Sequence, residues 1–132
     1  MLELYIDFKC PASYLALQPS LDLAEKFKTD IHFKAFDSKQ LAIPARKETE
    51  TRSESHIRVR AIQRQNVHQH YANARGLTMI FRNQPGETTP ALALLESWEG
   101  DPLPFIREAF TAYWEQGADL RCAETVQTIA AK

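Results

Sequence analysis

The chain has 132 residues, 44% apolar and 25% charged, a composition that fits an ordinary globular protein of one domain's length. A formal net charge of -1 argues against a global attraction to nucleic acid or acidic membranes. No apolar run is long enough to span a bilayer, and no basic segment followed by an apolar core marks a secretory leader. Two distant cysteines, Cys10 and Cys122, do not make a disulfide framework. The expected compartment is the cytoplasm, with both thiols free.

Residues 2–9 alternate. Leu2, Leu4, Ile6 and Phe8 point one way and Glu3, Tyr5, Asp7 and Lys9 the other, which is the period of a half-buried strand. After Pro11 the period becomes helical, with Tyr14, Leu15, Leu17, Leu21, Ala24 and Phe27 on one face. Pro19 lies inside this helix and is expected to kink it. The stretch IHFKAF (31–36) alternates again, so the start of the chain reads as a βαβ unit with parallel strands and a right-handed crossover. Residues 37–54 are polar and read as a loop. Residues 55–75 read as a long helix closed by Gly76.

LTMIF then leads into NQPGE, which is turn chemistry. Thr89 as N-cap and Pro90 at the first position open another helix, which runs to about Glu99 and stops at Gly100. Asp101-Pro102 repeats the signal. The helix that follows buries Leu103, Ile106, Phe110, Tyr113 and Trp114, and Gly117 closes it. A last helix covers 123–130. No internal repeat or low-complexity segment is present. The predicted fold is α/β: a βαβ unit over 1–38, then an all-helical domain over 39–132.

A cysteine directly before a helix with proline at its first turn sits at the positive end of the helix dipole, where unpaired N–H groups converge. A free thiol titrates near roughly 8.5, and such a position favours the thiolate. Cys10 is therefore a candidate nucleophile, and Ser13, one turn on, a candidate donor to its sulfur. The competing reading makes Cys10 a small buried apolar residue at a turn.

The stretch YIDFKCPASYLAL resembles the first strand and active-site turn of the DsbA-like branch of the thioredoxin superfamily. Within it, the kappa-class glutathione transferases and hydroxychromene-carboxylate isomerases are most similar. Those carry an aspartate and an aromatic in the strand, then Ser-Pro-aromatic-Ser-Tyr-Leu; Asp7, Phe8, Pro11, Ser13, Tyr14 and Leu15 match. The family serine that activates glutathione falls on Cys10. In the branch's disulfide oxidoreductases, with C-P-x-C, the first cysteine also falls on Cys10 and the second on Ser13. Residues 36–64 are similar in layout to the loop and first helix of the family's helical insertion, and TTPALALLESW and YWEQGADLRCAETVQTIA resemble its later helices. The resemblance thus implies a partial thioredoxin-like fold with a helical insertion domain.

The pattern departs after Gly117, where the family's two further strands, their cis-proline and a final helix have no counterpart. Either a truncated product or a site completed by a second chain is implied. A two-stranded sheet is marginal alone and an open edge invites pairing, so a dimer or larger homo-oligomer is expected.

Other candidates carry weaker signals. Cys122 also opens a helix but matches no catalytic pattern. His32, His56, His68 and His70 lack acidic or cysteine partners at ligand spacing, so exposed helix histidines are expected and no metal site. Arg58, Arg60, Arg64 and Arg75 make the long helix basic, yet Glu48, Glu50 and Glu54 argue against an RNA stripe. In the family the loop and helix after the second strand help hold glutathione, a place that Arg46 and Lys47 could take. Tyr14 and Pro11 would border the same site. Phe105, Phe110, Tyr113 and Trp114 read as core, and the family implies that such residues also roof an apolar substrate pocket.

The resemblance implies a thiol-dependent, glutathione-linked enzyme acting on a small-molecule or thiol substrate: an oxidoreductase, a transferase or an aromatic-acid isomerase. The alternative is an inactive, truncated relative that serves in assembly or binding.

Overall fold

A computed structural model describes residues 1–82 and 86–132; residues 83–85, the centre of the expected NQPGE turn, lie outside the described residues. β1 (Leu2–Ile6), α1 (Pro11–Lys26) and β2 (Ile31–Ala35) form the βαβ unit, with β1 and β2 parallel in register from Leu2 opposite Ile31 to Ile6 opposite Ala35. Among the described residues these are the only strands. Leu2, Leu4 and Ile6 share a face with Ile31, Phe33 and Ala35. The opposite face carries Glu3, Tyr5, His32 and Lys34, with Lys34 Nζ paired to Glu3 at 3.0 Å.

The strand is shorter than its alternation suggests. A tight turn closes Asp7–Cys10, with Cys10 N donating to the Asp7 carbonyl at 3.1 Å. That turn buries Asp7, Phe8 and Lys9 together, so Asp7 and Lys9 do not point to solvent as alternation predicts.

Pro11 occupies the first turn of α1 and the helix runs through Pro19. Proline has no N–H to give the carbonyl four residues back. Arg75 Nη1 donates to that carbonyl, Leu15 O, at 2.7 Å. The predicted inner face holds at Tyr14, Leu15, Leu17 and Ala24, whereas Phe27 at its end is 66% exposed.

α2 (Arg52–Ala74) begins three residues before the predicted start. Thr51 Oγ1 accepts from Glu54 N at 3.1 Å and pairs with the Glu54 carboxylate, a reciprocal cap that a Thr-x-x-Glu spacing encodes. Gly76 closes the helix at φ +68°. α3 (Thr89–Glu96) is capped by Thr88 rather than Thr89, with Pro90 in its first turn. α4 (Leu103–Phe110) passes into a π-helical turn, Thr111–Glu115, and α5 (Ala123–Ala130) ends the chain's secondary structure.

The π turn is the feature that periodicity missed. Its widened backbone leaves carbonyls without helical donors. Ile80 N reaches Trp114 O at 2.7 Å, and Arg82 Nη2 donates to Tyr113 O at 2.8 Å and Ala118 O at 2.6 Å. The segment after α2 is thereby fastened to the end of α4.

One apolar cluster unites Ile6, Phe8, Tyr14, Leu15 and Leu17 of the βαβ unit with residues of α3, α4, the π turn and α5. Phe8 lies 5.9 Å from Phe105 and 5.2 Å from Phe110, centroid to centroid, and Trp114 Nε1 donates to the buried Phe8 carbonyl at 3.0 Å. Full burial of such a ring contributes about 1.5–3 kcal/mol, so these contacts anchor the Cys10 turn to the helices.

Candidate functional site

Cys10 is the N-cap of α1, in extended conformation at φ -89° and ψ 119°, and it is partly buried. Its carbonyl accepts the first helical bond from Tyr14 N at 3.2 Å, and no side chain caps the N-terminus. Cys10 thus sits at the helix end whose first N–H groups lack helical acceptors.

Ser13 is placed differently. Its Oγ accepts from Asp7 N at 3.1 Å and donates to the Tyr5 carbonyl at 3.5 Å. The hydroxyl ties α1 to the end of β1, and its one proton is directed to the strand instead of the sulfur. Tyr14 is buried between Phe110 and Trp114, with Oη donating to Thr78 O at 3.4 Å. Burial, helped by the charge of Glu115, pushes its phenol up to about 12.

Beneath the turn lies an ionic cluster that sequence reasoning missed. The Asp7 carboxylate accepts from Lys9 N at 3.3 Å, Lys9 Nζ at 3.3 Å and Ser38 N at 2.9 Å, and from the Ser38 hydroxyl. Lys9 Nζ also pairs with Asp37. Burial disfavours the Lys9 charge, but the Asp37 hydrogen bond and the two carboxylates outweigh it and hold the amine above its ordinary range. This cluster joins the Cys10 turn to the segment after β2.

A cleft of about 380 Å³ opens beside the start of α1. Pro11, Lys39, Arg64, His68, Arg82 and Trp114 are among the residues on its wall. Cys10 is their neighbour in the chain and is not itself one of them. The lysines and arginines here are Lys9, Lys39, Arg64 and Arg82, in place of Arg46 and Lys47, which are exposed; Lys47 Nζ is drawn to Glu54 at 3.3 Å. Arg82 lies 3.7 Å from the Tyr113 ring centroid, a close cation–π stack.

His68 is half-buried in this wall rather than an exposed helix histidine. Desolvation, then the Arg64 charge, lowers its pKa from the usual value. The spacing of Ala61, Gln65, His68 and Ala72 on α2 was the available signal, since these share one helical stripe.

Cys122 is exposed at the N-cap of α5. Hydrogen bonds from the Thr125 backbone and side chain, then the Glu124 backbone, lower its thiol pKa from the ordinary value. Among the described residues, no group of three or more His, Cys, Asp or Glu gathers as a metal site, and no helix is long and apolar enough to cross a membrane.

No protein-family model and no curated protein matches the chain. Among solved structures it is similar to 2-hydroxychromene-2-carboxylate isomerase, with a TM-score of 0.66 and 18% identity. The match covers 99% of this chain and 64% of the isomerase, so the chain spans less than two thirds of that protein's length. Its two parallel strands, crossover helix and helical elements therefore share the fold of the matching part of that isomerase, a partial thioredoxin-like fold.

Proposed function

We propose that the protein is a thiol-dependent, glutathione-linked enzyme with Cys10 as its reacting group. The observation that carries this reading is Cys10 at the uncapped N-terminus of α1, next to a cleft walled by Pro11 and by Lys39, Arg64 and Arg82 among its basic side chains. In the redox form, the Cys10 thiolate attacks the glutathione sulfur of a mixed disulfide between glutathione and a thiol substrate. The S–S bond breaks, a Cys10–glutathione disulfide forms, and the substrate leaves as its thiolate. A glutathione thiolate then attacks that disulfide, restoring the Cys10 thiolate and leaving as glutathione disulfide. With serine at position 13 there is no neighbouring thiol to resolve the intermediate, so an external thiol is required. In the transferase or isomerase form, the same helix N-terminus stabilises a bound glutathione thiolate while the cleft holds a small-molecule substrate. Ser13 positions the turn, and Lys39, Arg64 and Arg82 supply the cations for a ligand's carboxylates. The reading places the protein in a reducing cytoplasm and as a homo-oligomer that covers the open edge of β1.

A second reading is an inactive relative acting in assembly or binding. It is favoured by the two-stranded sheet and by the absence of Cys10 from the cleft wall.

The test is alkylation of Cys10 in a Cys122→Ser background across pH, with and without glutathione. Rapid reaction, blocked by glutathione or replaced by a mass gain of one glutathione, supports the enzyme. A thiol that neither reacts nor takes up glutathione sinks it in favour of the binding module.

A further inference from the structure

A second cleft, of about 350 Å³, lies along the segment after β2 and shares Lys9 and Lys39 with the first. Its wall includes Lys9, Asp37, Ser38, Lys39, Thr88 and Thr89. Thr88 is 1% exposed, and its hydroxyl has no hydrogen-bond partner among the described residues. A buried hydroxyl without a partner costs about 1–3 kcal/mol, so it calls for an explanation.

Thr88 is the N-cap of α3, yet its side chain makes no capping bond. Its ψ of 20° departs from the extended geometry in which a threonine N-cap reaches back to the helix. Pro90 has no N–H, and the first backbone bond into the helix comes only at Leu92, whose N–H donates to Thr88 O at 3.0 Å. The Thr89 and Ala91 N–H groups find no acceptor among the described residues. Lys39 has no carboxylate within ion-pair distance among the same residues, whereas the Asp37 charge is met by Lys9.

We propose that this cleft binds a small oxyanion, a carboxylate or phosphate group, held by the α3 N-terminus, the Thr88 hydroxyl and Lys39. The three donors are of the kind that cradle anions at helix N-termini, and the buried threonine is a donor left over by the fold itself. Glu87 and Asp37 also border the cleft, and their carboxylates limit the site to a small, singly or partly charged group. Lys39 borders the cleft beside α1 as well, whereas Thr88 and the α3 amides belong to this cleft alone, so anion binding read at those amides is tested separately from Cys10 reactivity.

The experiment is a titration of the 15N-labelled chain with inorganic phosphate and, separately, with acetate, at constant ionic strength. Saturable shifts centred on the Thr88, Thr89 and Ala91 amides are expected. Lys39→Gln and Thr88→Val each weaken binding, Lys39→Gln by about two- to fivefold, the effect of one charge near a helix terminus. Lys39 is exposed, so its variant folds; Thr88→Ser keeps the hydroxyl and should retain binding. Saturation by phosphate alone assigns a phosphate site, and by acetate alone a carboxylate site. Shifts that never saturate, centre elsewhere, or ignore both Lys39→Gln and Thr88→Val overturn the proposal.

Discussion

Replacing Asp7 by asparagine tests whether the buried ionic cluster holds the Cys10 turn in place. Asp7 is 3% exposed, and its carboxylate accepts from four donor groups of Lys9 and Ser38. Removing one partner of a buried pair costs about 3–5 kcal/mol, because a charge is left uncompensated. Here Asp37 still faces Lys9, and asparagine keeps one acceptor oxygen, so about 2–4 kcal/mol is expected. A domain holds only about 5–15 kcal/mol in all, so the loss is large. Urea unfolding followed by tryptophan fluorescence reads it, since Trp114 is buried against the same turn. Lys9→Met completes a double-mutant cycle. The double variant should lose less than the sum of the singles, because it removes the stranded amine as well. A loss from Asp7→Asn below about 1 kcal/mol, or a cycle that is additive within about 0.5 kcal/mol, would refute the argument. The sign of the pH dependence follows from Lys9. Its folded pKa is raised, so the stabilisation is present below the unfolded value and is lost as pH rises through the folded one.

Arg75→Met should cost about 1 kcal/mol in chemical denaturation, because it strands the Leu15 carbonyl; in a Pro19→Ala background, which restores the helical donor, the cost should shrink toward zero. Tyr14 should titrate at about 12 in ultraviolet absorbance, above the phenol's ordinary range, and stability should fall as pH rises from that range toward the raised value. Cys122 should be alkylated near neutral pH faster than a free thiol, and Thr125→Val should slow it by removing a hydrogen bond to the sulfur. His68 should stay neutral to lower pH than a free histidine in an NMR titration, and Arg64→Gln should raise its midpoint; its lowered pKa makes stability fall as pH drops through the ordinary histidine range.

Local chemistry in the sequence determined the βαβ start, the position of Cys10 before Pro11, and the glycine stops at Gly76 and Gly117, because alternation, helical period and left-handed φ are properties of a few adjacent residues. It also contained the Thr51–Glu54 cap, which a Thr-x-x-Glu search would have found. Only the tertiary structure decided the rest. Alternation ran Asp7 and Lys9 out to solvent; the turn at Asp7–Cys10 instead buried both, because Asp37 and Ser38, some thirty positions later, supply their partners. The cleft's cations are Lys9, Lys39, Arg64 and Arg82 rather than Arg46 and Lys47, because which charges converge depends on how the α2 stripe and the π turn pack, and a charge carries no periodic mark of the surface it will face. Ser13 was placed correctly on its helix, yet its proton went to β1, since a hydroxyl takes whichever acceptor the packed backbone brings within reach.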